Sequence, residues 1–181
     1  LGDVYKRQIN NLIFVVLDSS VVKRYNGKIH LIGHSVGGYT VTAVLMEKSA
    51  EIKSVISCSG FNSTKELFES YMQAVWLKGI SLCVSLYEYI IFGKRSTYKG
   101  TDGINKSNVK VLVLHSLYDD VLPFESGIVA RKCMITNKRA ICVECNKKGH
   151  NILRRVDDES KLDEEQMVKL LDFMRGENNN G

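Results

Sequence analysis

Proline is almost absent from this sequence of 181 residues, in which Pro123 is the single example. Proline-rich stretches commonly mark stiff linkers between domains, and none occurs here. A chain of this length can bury a hydrophobic core of its own. The sequence therefore predicts one domain rather than two units joined by a linker.

Long apolar runs and dense basic clusters are also missing. The longest apolar candidate, Ile80 to Phe92, contains Glu88 and is shorter than the roughly 18 residues of a membrane-spanning helix. Lys and Arg number 25 against 20 Asp and Glu, but they are scattered in short pairs such as Lys147 and Lys148. Because nucleic-acid binding needs a concentrated basic surface, we expect no nucleic-acid partner and no membrane span.

Cysteine occurs five times, an odd number, and only Cys142 and Cys145 lie close together in the sequence. A structural zinc site would need a second pair of ligands at suitable spacing, and none follows. We expect no metal and no cofactor. The thiols are predicted to be reduced, which favours a cytoplasmic location.

The two ends of the chain are set apart from the predicted fold. Residues 1–8 are predicted to be a non-native leader, because the run from Asp3 to Gln8 resembles the translation of a transposon end used in preparing sequencing libraries. The natural N-terminal portion is then expected to be absent. Residues 9–25 are predicted to be a helix that ends before Gly27. The polar residues 176–181 are predicted to be a disordered tail.

Segments typical of strands and of helices alternate along the rest of the chain. The predicted strands are 28–32, 52–58, 109–115 and 139–143, and the predicted helices are 39–48, 63–79, 81–92, 123–133 and 163–174, with a polar loop over 94–108. This alternation predicts a mostly parallel sheet with right-handed crossovers, in a three-layer α/β/α sandwich. The helical segment 63–93 is either a crossover or a lid, and both interpretations remain open.

Capping boxes mark two of the predicted helix starts. Ser63 and Glu66 form one box, and Asp163 and Gln166 form the other. The apolar spacing of the last helix predicts a core face made of Met167, Leu170, Leu171 and Met174.

A glycine-flanked serine joins the first predicted strand to the helix after it, in the run Gly33-His34-Ser35-Val36-Gly37-Gly38. This turn must be tight for the serine hydroxyl to project from the sheet edge, so only glycine or a similarly small residue is expected at Gly33 and Gly37. The following helix adds positive potential at its N-terminus. Ser35 is therefore the candidate nucleophile, and the N–H of Val36 is a candidate donor to an oxyanion.

A serine nucleophile needs a base, and histidine is the usual choice because it titrates near neutrality. Of the four histidines, one follows the last predicted strand in a loop, one ends a strand, one lies inside the serine turn and one lies within a strand: His150, His115, His34 and His30. His150 is the candidate base. Asp119 or Asp120, after the strand 109–115, is placed to orient its ring.

These motifs together resemble the α/β-hydrolase superfamily, and within it the small bacterial hydrolases of the esterase or serine-aminopeptidase type. The serine turn is similar to the family's nucleophile elbow, His115 to Pro123 is similar to its acid loop, and Gly149-His150-Asn151 resembles its histidine loop. On that register the resemblance implies Asp119 as the acid and His150 as the base. It covers residues 9–175, a partial domain.

Two positions depart from that family pattern. Ser116 stands where the family usually has glycine after the histidine of the acid loop. The family also has strands before the nucleophile strand, and we expect these strands, with the loop that carries the second oxyanion donor, to be absent from this sequence.

The resemblance implies hydrolysis of a carboxylic ester or a related acyl bond in a small-molecule substrate, through an acyl-enzyme on Ser35. A peptidase or a thioesterase of the same fold is an alternative within enzymes. A catalytically inactive fragment, or a non-enzymatic binding domain, is the alternative from a different class.

Overall fold

A computed structural model describes residues 29–71 and 78–176. Three sequence predictions lie outside these residues: the leader over 1–8, the helix over 9–25 and the part of the tail over 177–181. The part of the predicted helix 63–79 that covers 72–77 lies outside them as well. Within the described ranges, no helix has the length and apolar character needed to cross a bilayer.

Four parallel strands form the sheet of the described residues. They are β1 (Ile29–His34), β2 (Ile52–Cys58), β3 (Lys110–Tyr118) and β4 (Ala140–Lys148), and they pair in the order β1-β2-β3-β4. Helices lie between the strands and after the last one: α1 (Val36–Ala43), α2 (Leu45–Lys48), α3 (Thr64–Tyr71), α4 (Lys78–Phe92), α5 (Gly100–Lys106) and α6 (Glu164–Arg175). The predicted parallel α/β architecture is confirmed.

Both faces of the sheet are covered by helices, which gives three layers. Successive residues of a strand point to opposite faces, so a buried strand feeds two cores. On one face, Val55 and Val113 pack in a buried cluster with side chains of α1, α2 and α5. On the other face, Ile56 and Leu114 pack with Leu170 of α6.

The last two strands are longer than the sequence pattern indicates. The predicted strands 109–115 and 139–143 are β3, which continues to Tyr118, and β4, which continues to Lys148. The added residues are polar or exposed, but Ser116 pairs with Cys145 and Tyr118 pairs with Lys148, and this pairing extends both strands. The acid-loop and histidine-loop residues therefore follow directly from the ends of paired strands.

The predicted polar loop over 94–108 is wrong, because it contains a 3₁₀ turn, Gly93–Thr97, and the helix α5. The contact between α5 and α1 explains the difference. A Cβ added to Gly103 would lie 2.1 Å from the carbonyl oxygen of Thr42, so the two helices approach closely. Ile104 is fully buried there, and this packing forms the helix despite its polar sequence.

The helix predicted over 123–133 is also wrong, since two 3₁₀ turns occupy this stretch, Phe124–Ser126 and Val129–Met134. They are separated at Gly127, which forms an isolated antiparallel bridge with Phe61. A residue that pairs with an extended segment cannot continue a helix, so the element is broken there.

The helix ends agree with the sequence in most places. Ser63 caps α3 by accepting a hydrogen bond from the N–H of Glu66 (3.2 Å), and Asp163 caps α6 through Gln166 in the same way. Gly79 lies within α4, so it does not end the preceding helix as predicted. On α6, Leu171 is exposed and Phe173 takes its place in the core.

Candidate active site

Ser35 occupies a strained turn between β1 and α1. Its backbone angles are φ 57° and ψ −118°, in a region that residues with a side chain rarely adopt. Its N–H donates a 2.9 Å hydrogen bond to the carbonyl of Cys58 at the end of β2. The chain therefore passes from strand to helix through one residue, which is the geometry of the predicted elbow.

The elbow depends on glycine at two positions, of which one was predicted. A Cβ on Gly33 would lie 2.1 Å from the carbonyl oxygen of Gly37, so any side chain at Gly33 is excluded. The prediction for Gly37 is wrong: a Cβ there would meet nothing within 4 Å, because the close approach involves its main-chain oxygen. Gly38 is the second restricted position, since its Cβ would lie 2.9 Å from Cα of Gly60.

Asp119 and His150 are brought together from loops that follow neighbouring strands. Nδ1 of His150 lies 2.8 Å from Oδ2 of Asp119, and the Asp119 side chain is fully buried. Asp119 rather than Asp120 makes this contact. Because Nδ1–H donates to the carboxylate, Nε2 of the His150 ring is the nitrogen left to accept a proton.

The Asp119 carboxylate is stabilised in its charged form. Burial raises the pKa of Asp119, but hydrogen bonds from His115, His150 and the N–H groups of Leu122 and Val121 outweigh burial and hold the pKa far below its ordinary value. The two main-chain bonds end on Oδ1, at 2.7 Å from Leu122 and 2.9 Å from Val121. The carboxylate is therefore ionised at neutral pH and can stabilise a positive charge on His150.

The main-chain carbonyl of His150 is hydrogen-bonded both to the elbow and to the residue that follows β2. Its carbonyl accepts a 2.8 Å hydrogen bond from Oγ of Ser59 and a 3.1 Å bond from Nε2 of His34, the residue before Ser35. The rings of His34 and His150 lie 4.7 Å apart between centroids. Burial is the main cause that lowers the pKa of His34. Two contacts of His34 thus join the elbow to the histidine loop, and Ser59, directly after β2, makes a third contact with His150.

Ser35 and His150 are connected indirectly, through the contacts that His34 and Ser59 make with His150. In residues 29–71 and 78–176, no hydrogen bond joins the Ser35 hydroxyl to the His150 ring. Catalytic hydrogen bonds in unliganded enzymes are often long and shorten when substrate binds.

Val36 is the first residue of α1, so its N–H has no acceptor within the helix.

Two residues make contacts at this site that the sequence analysis did not predict. Ser59 holds the His150 carbonyl, and His115 lies 3.3 Å from Oδ2 of Asp119. No local pattern marks Ser59, because its partner is 91 residues away in the sequence. His115 could have been found, since a histidine four residues before the acid is a readable spacing.

The sequence matches a known protein family over most of its length. The profile of the prolyl oligopeptidase family matches residues 23–176. A search of curated protein sequences finds no significant match.

Solved structures with the same fold are distant in sequence. A monoacylglycerol lipase from Paleococcus ferrophilus superposes with a TM-score of 0.62 at 14% identity, covering 95% of this chain and 76% of the lipase. An acylaminoacyl peptidase from Pyrococcus horikoshii gives 0.56 at 16% identity, covering 85% of this chain and 25% of the peptidase. An esterase from Pyrococcus furiosus gives a TM-score of 0.53 at 15% identity, covering 82% of this chain and 53% of the esterase. These similarities establish the α/β-hydrolase fold.

Proposed function

Because this chain belongs to the prolyl oligopeptidase family, we propose that it is a serine hydrolase with Ser35 as nucleophile, His150 as base and Asp119 as acid. One observation carries this assignment: the 2.8 Å contact between His150 Nδ1 and Asp119 Oδ2, in a loop whose His150 carbonyl bonds to His34, the residue before the strained Ser35. A buried carboxylate paired with a histidine next to a strained serine is the arrangement that serine acyl transfer uses.

The proposed reaction has two steps. Ser35 Oγ attacks the acyl carbonyl while its proton passes to Nε2 of His150, and the N–H of Val36 donates to the oxyanion that forms. The intermediate collapses, and the leaving group departs with the proton from His150. Water, deprotonated by His150, then attacks the acyl-enzyme, and Ser35 is released with its proton restored.

Asp119 contributes through charge and orientation. Its carboxylate stays ionised because four donors surround it, so it offsets the positive charge that His150 gains in each step. It also holds the proton on Nδ1, which leaves Nε2 basic towards Ser35. The buried position of Asp119 strengthens both effects, since little solvent screens the pair.

The proposed substrate is a carboxylic ester of a small molecule. The family description names a peptidase, and the solved structures of similar fold include a lipase and an esterase, so a peptide or thioester bond is the alternative. These alternatives can be separated by measuring the turnover of an ester, a thioester and an aminoacyl amide that all carry the same acyl group. A carboxylesterase should favour the ester over the amide by more than their intrinsic difference in reactivity.

A fluorophosphonate probe tests the nucleophile. The wild-type chain should form one adduct, mapped by mass spectrometry to Ser35, and Ser35→Ala should lose it. Ser160→Ala, at an exposed serine, is the matched control and should label like the wild type. Equal labelling of Ser35→Ala would refute the assignment. A folded wild-type chain that neither labels nor turns over ester would instead indicate an inactive fragment or a binding domain.

A further inference from the structure

His115 lies inside the sheet, beneath the acid. It belongs to β3, and its side chain is fully buried. Its Nε2 is 3.3 Å from Oδ2 of Asp119 and 3.4 Å from the carbonyl oxygen of Leu122. Both neighbours of Nε2 are acceptors, so this nitrogen must carry a proton and donate.

The other nitrogen of His115, Nδ1, is buried. Among residues 29–71 and 78–176 it has no hydrogen-bond partner. Gly127 covers this edge of the ring, since a Cβ added to Gly127 would lie 2.5 Å from Nδ1. A proton on Nδ1 would be a buried donor without an acceptor, which is costly. Nε2 is therefore the nitrogen that carries the proton, and this N–H faces both Oδ2 of Asp119 and the carbonyl of Leu122.

The two oxygens of Asp119 have different surroundings. Oδ1 accepts two main-chain N–H groups, from Val121 and Leu122. Oδ2 is shared by two imidazoles, those of His150 and His115. Without His115, His150 would be the one donor left to Oδ2 among the described residues, and Oδ2 could turn about the Oδ1 atom that the main chain holds.

We propose that His115 is a positioning residue for this site, whose Nε2–H holds Oδ2 of Asp119 in the orientation that His150 Nδ1 requires. His115 acts through Asp119, four residues further along the chain, and does not reach the substrate. The consequence for rate rests on the proposed serine hydrolysis. The contact itself does not, so it can be tested separately.

Other titratable groups face Asp119 from the surrounding elements. His34 in the elbow and Tyr71 at the end of α3 both interact with its charge. The Tyr71 hydroxyl donates to the carbonyl of Val121, and burial followed by the Asp119 charge raises the pKa of Tyr71. Variants at His115 leave these groups in place, so a change in pH dependence is attributable to His115.

Activity measurements compare three variants. His115→Leu removes the donor and keeps an apolar side chain. His115→Gln keeps an N–H donor near the position of Nε2. Phe124→Leu is the packing control, because Phe124 contacts the His115 ring edge-on at 5.7 Å and makes no bond to Asp119.

For His115→Leu we expect kcat to fall about tenfold with KM nearly unchanged, as for a lost hydrogen bond to a charged group. The acidic limb of the pH–rate profile should move to higher pH, because the carboxylate then interacts more strongly with a protonated His150. In His115→Gln, most of the lost kcat should return and the acidic limb should lie near its wild-type pH. In Phe124→Leu, both kcat and the limb should stay close to the wild type. An unmoved limb with a loss under twofold in His115→Leu, or no recovery in folded His115→Gln, would overturn the proposal.

NMR of nitrogen and carbon nuclei tests the contact between His115 and Asp119 independently of enzymatic activity. In the wild type, the imidazole spectrum of His115 should show a proton on Nε2 and a bare Nδ1. The carboxyl carbon of Asp119 should titrate at higher pH in His115→Leu than in the wild type, since a hydrogen bond that lowers the pKa of Asp119 is lost. A proton on Nδ1, or an unchanged Asp119 titration, would overturn the positioning role even if Ser35 labels as proposed. A wild type that fails to label but passes these tests refutes only the hydrolase assignment.

Discussion

Oγ of Ser59 donates a 2.8 Å hydrogen bond to the main-chain carbonyl of His150, which lies 91 residues further along the chain. Ser59 follows β2 directly, has a positive φ of 48°, and is itself held by a 2.8 Å bond from its N–H to the carbonyl of Leu114. The end of the central strands therefore fixes the height of the histidine loop above the sheet.

Ser59→Ala should loosen this loop. The change removes one donor to the His150 carbonyl, and we expect about 1 kcal/mol less stability and a fivefold to tenfold lower kcat/KM, as rough values for a lost hydrogen bond. Urea unfolding and ester turnover measure the two effects. Ser70→Ala is the control, because that hydroxyl bonds locally to Leu67 on α3. Equal effects of the two substitutions would contradict the role of Ser59.

Alanine at two elbow glycines should give opposite results. Gly33→Ala places a Cβ 2.1 Å from a carbonyl oxygen, and we expect a loss of about 3 kcal/mol or failure to fold. Gly37→Ala meets nothing within 4 Å and lies in α1, so it should be neutral or stabilising by up to about 1 kcal/mol. Denaturant midpoints compare them. A Gly37→Ala chain as unstable as Gly33→Ala would show that the turn is built differently.

The depressed pKa of Asp119 should appear in the stability of the chain at low pH. Since the folded pKa lies below the ordinary 3.8, the carboxylate stabilises the fold above about pH 4, and this contribution is lost as the pH falls through the folded pKa. Urea unfolding between about pH 5 and 2 should therefore show a steeper decline for the wild type than for Asp119→Asn. Asp120→Asn should follow the wild type. Parallel curves for the wild type and Asp119→Asn would contradict the depressed pKa of Asp119.

The buried thiol of Cys58 should resist alkylation. Burial, together with the nearby Cys145, raises the pKa of Cys58 to about 12, and only the thiolate reacts readily. Cys83 and Cys133 are exposed. Peptide mapping after brief iodoacetamide treatment at neutral pH should find label at Cys83 and Cys133 and none at Cys58. Rapid labelling of Cys58 in the native chain would show that the core around β2 opens.

Local patterns in the sequence were sufficient for the elements that depend on neighbouring residues. The apolar run of β2 has the predicted bounds, and the capping residues Ser63 and Asp163 begin their helices. The strand, turn and helix around Ser35 follow from glycine and strand patterns within ten residues. These features form wherever the surrounding chain allows, so a sequence reveals them.

Features that depend on distant contacts were missed or wrong. The helix α5 forms because Gly103 packs against Thr42, and the stretch after Pro123 breaks because Gly127 pairs with Phe61. The requirement for glycine fell on Gly38 instead of Gly37 for the same reason, through contact with Gly60. Each partner is remote in sequence, and no local pattern encodes it.

The paired substitutions Asp119→Asn and Asp120→Asn test the central assignment most directly, by kcat/KM for hydrolysis of p-nitrophenyl acetate. Asp119 bonds to Nδ1 of His150, so Asp119→Asn should favour the wrong tautomer of the ring and lower kcat/KM about ten-thousandfold. Asp120→Asn should stay within about twofold of the wild type. Equal losses in the two variants, or a larger loss in Asp120→Asn, would contradict the account.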